Sequence, residues 1–302
     1  MKKLLLSSVA LALVAGMTGG ANAAYVLGMK GPGAGNPFWA AVEQGAKDKG
    51  AELGVEVVVV APPAESDVQA QITQIEDLIA QGIDGLALAP TDPNALAPVV
   101  EAARAAGIPV VFVDTRGINE GVTFIGTNNE VGAALAADFM CKNLPTGSDV
   151  AILQGLVSQS TGQARADGSK TGLEACGLKV VAEQTAEWDR AKGLAVTENI
   201  LAGNPNIMGI FGSNDNMALG AVEALKAAAK LSDVMVVGFD ANPDAANSIL
   251  AGEMTASIAQ APANMGGFAI QALADLKAGK TLDAWIDTGT VLVTKENAES
   301  YK

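Results

Sequence analysis

The sequence predicts an α/β protein made of two similar lobes, each a parallel sheet flanked by helices. Three observations predict it. Short β-branched runs alternate with longer Ala-rich stretches of helical period along the chain after residue 23. The strands read as nearly continuous apolar runs, as strands covered on both faces do. Finally, "LALAPTDPNALAPVVEAARAAGIPVVFVDT" is echoed by "MGIFGSNDNMALGAVEALKAAAKLSDVMVVGFDA". In each, an apolar strand leads to an Asp followed by x-x-Ala-Leu, then a helix, then a strand ending in Asp. Asp92 is matched with Asp215 and Asp114 with Asp240, and this shared order predicts two lobes on one plan.

The elements follow in order. "MKKLLLSSVALALVAGMTGGANA" joins two lysines to an apolar run and a small-residue ending, the pattern of a secretory signal peptide cut after Ala23. The apolar run is too short for a membrane span and is broken by Gly16, Gly19 and Gly20. No cysteine stands at the cleavage point to carry a lipid anchor. Strands are then expected over 25–29, 55–60, 85–89, 110–113, 150–153, 179–183, 207–211, 234–239 and 255–258. Helices are expected between them, for instance over "PFWAAVEQGAKDKGAEL", "DVQAQITQIEDLIAQG" and "NALAPVVEAARAAG". Asn36 stands where a helix cap is wanted, just before Pro37.

Composition narrows the function. With 33 acidic residues against 19 basic ones, net charge −14, the chain is poorly suited to nucleic acid or an anionic membrane. It contains no histidine, which removes the commonest general base, the usual catalytic triads and the commonest zinc ligand. Cys141 and Cys176 are too few for a disulfide scaffold. They either pair as one disulfide in an oxidising compartment or remain two buried thiols. No metal and no cofactor is expected. The balance favours a binding protein over an enzyme, although a carboxylate pair such as Asp114 and Asp240 leaves a glycoside hydrolase open. A repressor would need a helix-turn-helix where this chain carries an export signal.

Ligands of parallel sheets bind beyond the carboxyl ends of the strands, where Asn36, Asp114, Asn214 and Asp240 all fall. The loop "GPGAGNPFW" has the glycines of a phosphate cradle, yet Pro37 removes a helix N–H that a phosphate would use. Phe38 and Trp39 point to something flatter and less charged. A carboxylate accepts from two neighbouring hydroxyls, a guanidinium donates a fork, and an amide does one of each. An aromatic ring packs on the C–H face of a sugar. This combination suits a neutral polyhydroxylated molecule and suits a dinucleotide badly.

The motifs "NPFW", "VDT", "LQG…ARADG", "EWDRAKGL", "FGSNDNMALGA", "VVGFDANPD" and "SIAQAP" resemble those of periplasmic monosaccharide-binding proteins of the ribose-binding type, which serve bacterial ABC importers. Lys30, "NPFW" and "EWDR" are most similar to the allose-binding branch. The resemblance implies ligand contacts at Lys30, Asn36, Phe38, Trp39 and Asp114 in one lobe. In the other it implies Arg165, Trp188, Asn214 and Asp240, with Gln260 on a crossing segment. Arg116 is left out, because this chain reads Asp114-Thr115-Arg116 where ribose-type members read Asp-Arg. The lobes implied are 24–127 plus 261–288 and 128–260 plus 289–302, with hinges near 127–128, 260–261 and 288. The ligand implied is an aldose, ketose or alditol. The setting implied is a periplasmic monomer that docks an inner-membrane ABC permease and also suits a chemoreceptor.

Overall fold

All nine strands expected from the sequence are present in the computed structural model, which describes residues 23–302. The export signal expected over residues 1–23 lies, Ala23 apart, outside the described residues. The first part of the chain runs β1 (Ala24–Gly28), α1 (Pro37–Leu53), β2 (Glu56–Val60), α2 (Val68–Gln81), β3 (Gly85–Leu88), α3 (Ala97–Ala105), β4 (Val110–Val113) and β5 (Thr123–Gly126). The second runs α4 (Asn129–Asn143), β6 (Asp149–Gln154), α5 (Ser160–Ala175), β7 (Lys179–Thr185), α6 (Arg190–Gly203), β8 (Gly209–Gly212), α7 (Asp215–Ala227), β9 (Met235–Asp240), α8 (Pro243–Ala251) and β10 (Ala256–Ala259). Then come α9 (Pro262–Lys277), β11 (Trp285–Asp287) and β12 (Val291–Val293).

Two six-stranded sheets result, ordered β11-β5-β4-β3-β1-β2 and β12-β10-β9-β8-β6-β7. The orders are the same once each sheet is counted from its own first strand, as the internal echo predicts. Every pairing is parallel except β12 against β10. The chain passes between the sheets at 127–128, at 260–261 and at 288–290, so each sheet takes its last strand from the end of the chain. Strands β5, β11 and β12 were not expected from the sequence. β11 and β12 have three residues each and lie partly exposed at the sheet edges, too little to show a period or a buried apolar run.

Apolar strand residues explain the layers. On one face of the first sheet Tyr25, Leu27 and Val111 meet Trp39 and Val42 of α1 and Ile270 and Leu273 of α9. The other face packs Leu86, Leu88 and Phe112 on Ile75 of α2 and Val99 of α3. Helices α1 and α9 touch backbone to backbone: a Cβ at Gly45 would lie 2.0 Å from the Ala263 carbonyl, and one at Gly266 2.0 Å from that of Val42. This contact seats α1, and with it Asn36, Phe38 and Trp39, at the carboxyl end of β1. In the second sheet Leu153 and Ile210 pack on Ile200, Met217 and Val222, and Ile152 and Phe239 on Met140 and Leu173.

The echo holds in position more than in task at its first aspartate. Asp92 accepts from the N–H groups of Asn94 and Ala95 at the turn before α3, each at 2.9 Å. Its counterpart Asp215 is wholly buried and accepts from Ser257 Oγ at 2.6 Å and the Asn242 N–H at 2.8 Å.

Of the two cysteine alternatives, the structure shows the disulfide: Cys141 of α4 is joined to Cys176 at the end of α5, Cα atoms 6.1 Å apart. The sequence separation is 35 residues. Cross-linking a loop of that length restricts the unfolded chain by about 3–4 kcal/mol. Reduction, or Cys141→Ser with Cys176→Ser, should therefore lower unfolding free energy by about that amount in urea titrations, with the m-value raised by the more expanded unfolded chain.

Candidate binding site

The segments that follow β1, β2, β4, β6, β7, β8 and β10, with the last residue of β9, line one cavity. All ten residues expected from the sequence line it together: Lys30, Asn36, Phe38, Trp39, Asp114, Arg165, Trp188, Asn214, Asp240 and Gln260. Glu65 and Thr161 complete the lining. Together they leave about 20 Å³ for the centre of a water molecule to move in, room for about one water. A wider groove of about 820 Å³ opens beside it, between the glycine loop 31–35 and residues 187–192.

Asn36 and Asn214 each serve two purposes. Asn36 Oδ1 accepts from the Phe38 N–H at 3.2 Å and caps α1. Asn214 Oδ1 accepts from the Met217 N–H at 2.9 Å and caps α7, while its Nδ2 donates to the Trp188 carbonyl at 3.2 Å. Capping and lining thus coincide, because a helix that starts at a strand's carboxyl end puts its cap in the cleft.

Two indoles face the cavity from opposite lobes. Trp39 donates its N–H to Glu65 Oε1 at 2.9 Å and meets the Phe38 ring edge-on, centroids 5.1 Å apart. Trp188 donates its N–H to Gln159 Oε1 at 2.9 Å. Its ring lies against Gly155, where a Cβ would come within 2.1 Å of it. Glu65, Gln159 and Gly155 were not among the sequence candidates. Glu65 sits in the polar stretch "APPAESD", which reads as an exposed loop; its place after the carboxyl end of β2 is the signal that could have found it.

Charge is buried at both walls. Lys30, 3 % exposed, lies 3.2 Å from Asp114 and 3.7 Å from Glu65, and donates to Gln159 Oε1 at 2.9 Å and Thr161 Oγ1 at 3.4 Å. Arg165 donates through Nε to Asn129 Oδ1 at 2.7 Å and through Nη1 to the Ser213 carbonyl at 3.0 Å. It also lies 3.6 Å from Asp240 and stacks on Phe239, 3.8 Å from the ring centroid. Arg116 instead lies over Phe124 and Trp285, at 4.7 and 5.6 Å from their centroids, outside the lining. Gln260 accepts from the Thr127 hydroxyl at 2.6 Å and donates to Asp240 at 2.6 Å, so a chain of hydrogen bonds runs from two crossings into the cavity.

The backbone is strained in the same places. Six non-glycine residues described have positive φ, and five of them belong to site segments: Asp114 at 60°, Glu187 at 50°, Trp188 at 66°, Asp240 at 117° and Ala241 at 51°. Each such residue costs on the order of 1–3 kcal/mol, and such strain clusters at functional sites.

Burial dominates the ionisation of the acids. It pushes Asp240 up to about 7, against the opposing pull of Arg165 and Gln260. Burial likewise raises Glu65, with Lys30 and the Trp39 N–H acting the other way. Asp215 is raised by burial and then by the charge of Asp240. A folded carboxyl that titrates above its unfolded counterpart binds protons more tightly in the native state. Its effect on stability is absent below about pH 4 and grows more unfavourable until the folded group ionises near 7. Wild-type protein should therefore lose stability relative to Asp240→Asn as pH rises from about 4 to 7, with no further loss above, in thermal melts run across that range.

Comparison with known proteins bears on the family and the fold. Residues 27–281 match the model of the periplasmic binding protein domain. The ribose import binding protein of Bacillus subtilis is 36 % identical over 274 residues, covering 90 % of this chain and 88 % of that one. The D-allose-binding periplasmic protein of Escherichia coli is 37 % identical over 259 residues, covering 82 % and 83 %. The crystal structure of the Caulobacter myo-inositol binding protein with myo-inositol superposes with a TM-score of 0.86 at 32 % identity, covering 93 % of this chain and 96 % of that one. The chain belongs to the periplasmic binding protein family.

Proposed function

We propose that this protein is the solute-binding component of an ABC importer and holds a monosaccharide or related polyol in the cavity between its sheets. The observation that carries the reading is the convergence of two indoles, three carboxylates, a guanidinium and three carboxamides, from both sheets, on one buried space. Indole faces match the C–H faces of a sugar ring, and the forked polar groups match vicinal hydroxyls. Relatives named for ribose, allose and myo-inositol support the same class. The ten lining residues expected from the sequence are the contacts we assign.

In this reading the lobes are 24–127 with 261–288 and 128–260 with 289–302. They part and close about the three crossings. A space for about one water demands such a motion before a sugar of about a dozen heavy atoms can enter. Closing on the ligand then shifts the population toward the form a permease recognises. The Thr127–Gln260–Asp240 chain links that motion to ligand contact. The setting is the periplasm, with the leader cut after Ala23.

A thermal-shift screen of aldoses, ketoses and alditols identifies the ligand as the compound that most raises the melting temperature. Calorimetry with that compound should show Asp240→Ala and Arg165→Ala each weakening binding at least about tenfold, since a charge-assisted hydrogen bond contributes about 1.5–3 kcal/mol. Unchanged affinity in both would remove the assignment. Aryl glycosides should stay intact on incubation with the protein, and their turnover would favour the carboxylate-pair hydrolase instead.

A further inference from the structure

Asn214 and Asp215 stand side by side at the start of α7 and serve different places. Asn214 lines the cavity, whereas Asp215 does not and is wholly buried. Each Asp215 carboxylate oxygen accepts one hydrogen bond, Oδ1 from Ser257 Oγ at 2.6 Å and Oδ2 from the Asn242 N–H at 2.8 Å. Ser257 Oγ in turn accepts from the Ala241 N–H at 3.0 Å. The two residues that follow Asp240 are thus held by one carboxylate, one directly and one through a hydroxyl. Asn242 goes on to cap α8, its Oδ1 accepting from the Ala245 N–H at 3.0 Å.

Three features tie this hold to Asp240. The turn is strained, with φ of 117° at Asp240 and 51° at Ala241, and such conformations persist only where their surroundings over-determine them. Next, the place is shaped for a carboxylate. A Cβ at Gly238 would lie 2.2 Å from Asp215 Oδ1, and a carboxamide there would turn its own N–H on one of the two donors. Arg165 pairs with Asp240 and not with Asp215, so no ion pair offsets the burial of this acid. Finally, the shared plan of the lobes does not require it. The matched Asp92 accepts from Asn94 and Ala95 in its own turn, and the Asp114 N–H goes to the Ile125 carbonyl at 2.9 Å instead.

We propose that Asp215 is a positioning residue for ligand binding: with Ser257 it locks the 240–242 turn in the strained form that aims the Asp240 carboxylate into the cleft, and so sets affinity without touching the ligand. This role rests on the polyol-binding reading above and deepens it. Loss of the lock frees the turn to relax toward negative φ, which carries the Asp240 carboxylate away from the ligand hydroxyl it receives. The Gln260 hydrogen bond to Asp240 is drawn off with it.

The test is a double-mutant cycle read by calorimetry. The probe is whichever of D-ribose, D-allose, D-fructose, ribitol and myo-inositol the wild-type protein binds most tightly. Ser257→Ala removes the relay without changing charge, and Asp215→Asn removes one acceptor with little change of shape. Thermal melting checks that each is folded. With Asp240 present, each variant should weaken binding at least about fivefold. In an Asp240→Ala background each should change affinity by less than about twofold, because the carboxylate it serves is gone. A general support of the fold would weaken binding equally in both backgrounds, and that result overturns the role. So does unchanged affinity with Asp240 present. An effect of Asp215→Asn that Ser257→Ala does not share also overturns it, since charge and not position would then be at work. In each of these cases the polyol reading stands as long as Asp240→Ala alone weakens binding. If wild-type protein binds none of the five probes, both readings fall. Ser257→Ala decides alone should Asp215→Asn fail to fold.

Discussion

Burying ions in a cleft that admits about one water is the constraint on which the site depends. An unpartnered buried ion costs several kcal/mol, so each one dictates its surroundings. Arg165 shows how far that reaches. Its guanidinium is met by Asn129 at the start of α4, the Ser213 carbonyl after β8, and Asp240 and Phe239 at the end of β9. Three segments of the second lobe are thereby fixed around one side chain. Lys30 does the same across the gap, tying the end of β1 to the start of α5. Thr115 and Thr161 hydroxyls approach to 3.4 Å nearby, and the Arg116 N–H donates to Ser160 at 3.1 Å.

The strained backbone follows from the same demand. Asp114 and Asp240 end equivalent strands, and both are turned into positive φ, which aims their carboxylates into the gap instead of along the strand. Trp188 is turned likewise, and its carbonyl is then held by Asn214. Rigid sheets and tightly packed helices hold these conformations in place, which an isolated loop would relax. The Gly45–Ala263 and Gly155–Trp188 contacts are part of that holding, since neither leaves room for a side chain.

Much of this was legible in the sequence, for identifiable reasons. Long elements with clear periods, such as Pro37–Leu53 and Val68–Gln81, follow from pattern and punctuation. Asn36, Asp114, Asn214 and Asp240 were legible because a parallel sheet gathers its loops at one end, whereas Lys30, Arg165, Trp188 and Gln260 came only with the family resemblance of the motifs that carry them. What escaped notice has no local signature. Strands Trp285–Asp287 and Val291–Val293 exist through pairing with Thr123–Gly126 and Ala256–Ala259, with other elements of the chain in between. Glu65 and Gln159 acquire their importance from an indole N–H contributed by another segment. The pairing of Cys141 with Cys176 needed α4 and α5 to lie side by side, which spacing alone does not reveal.

The crossing pattern has a consequence for biosynthesis. Neither sheet is complete until Trp285–Asp287 and Val291–Val293 have joined β5 and β10, and both follow every other strand in chain order. A nascent chain emerging amino end first therefore carries two unfinished halves, each with a bare edge, until Val293 has been made. Contacts that must wait for distant partners slow the final collapse. The topology itself thus keeps both lobes from locking shut until these two short strands are in place.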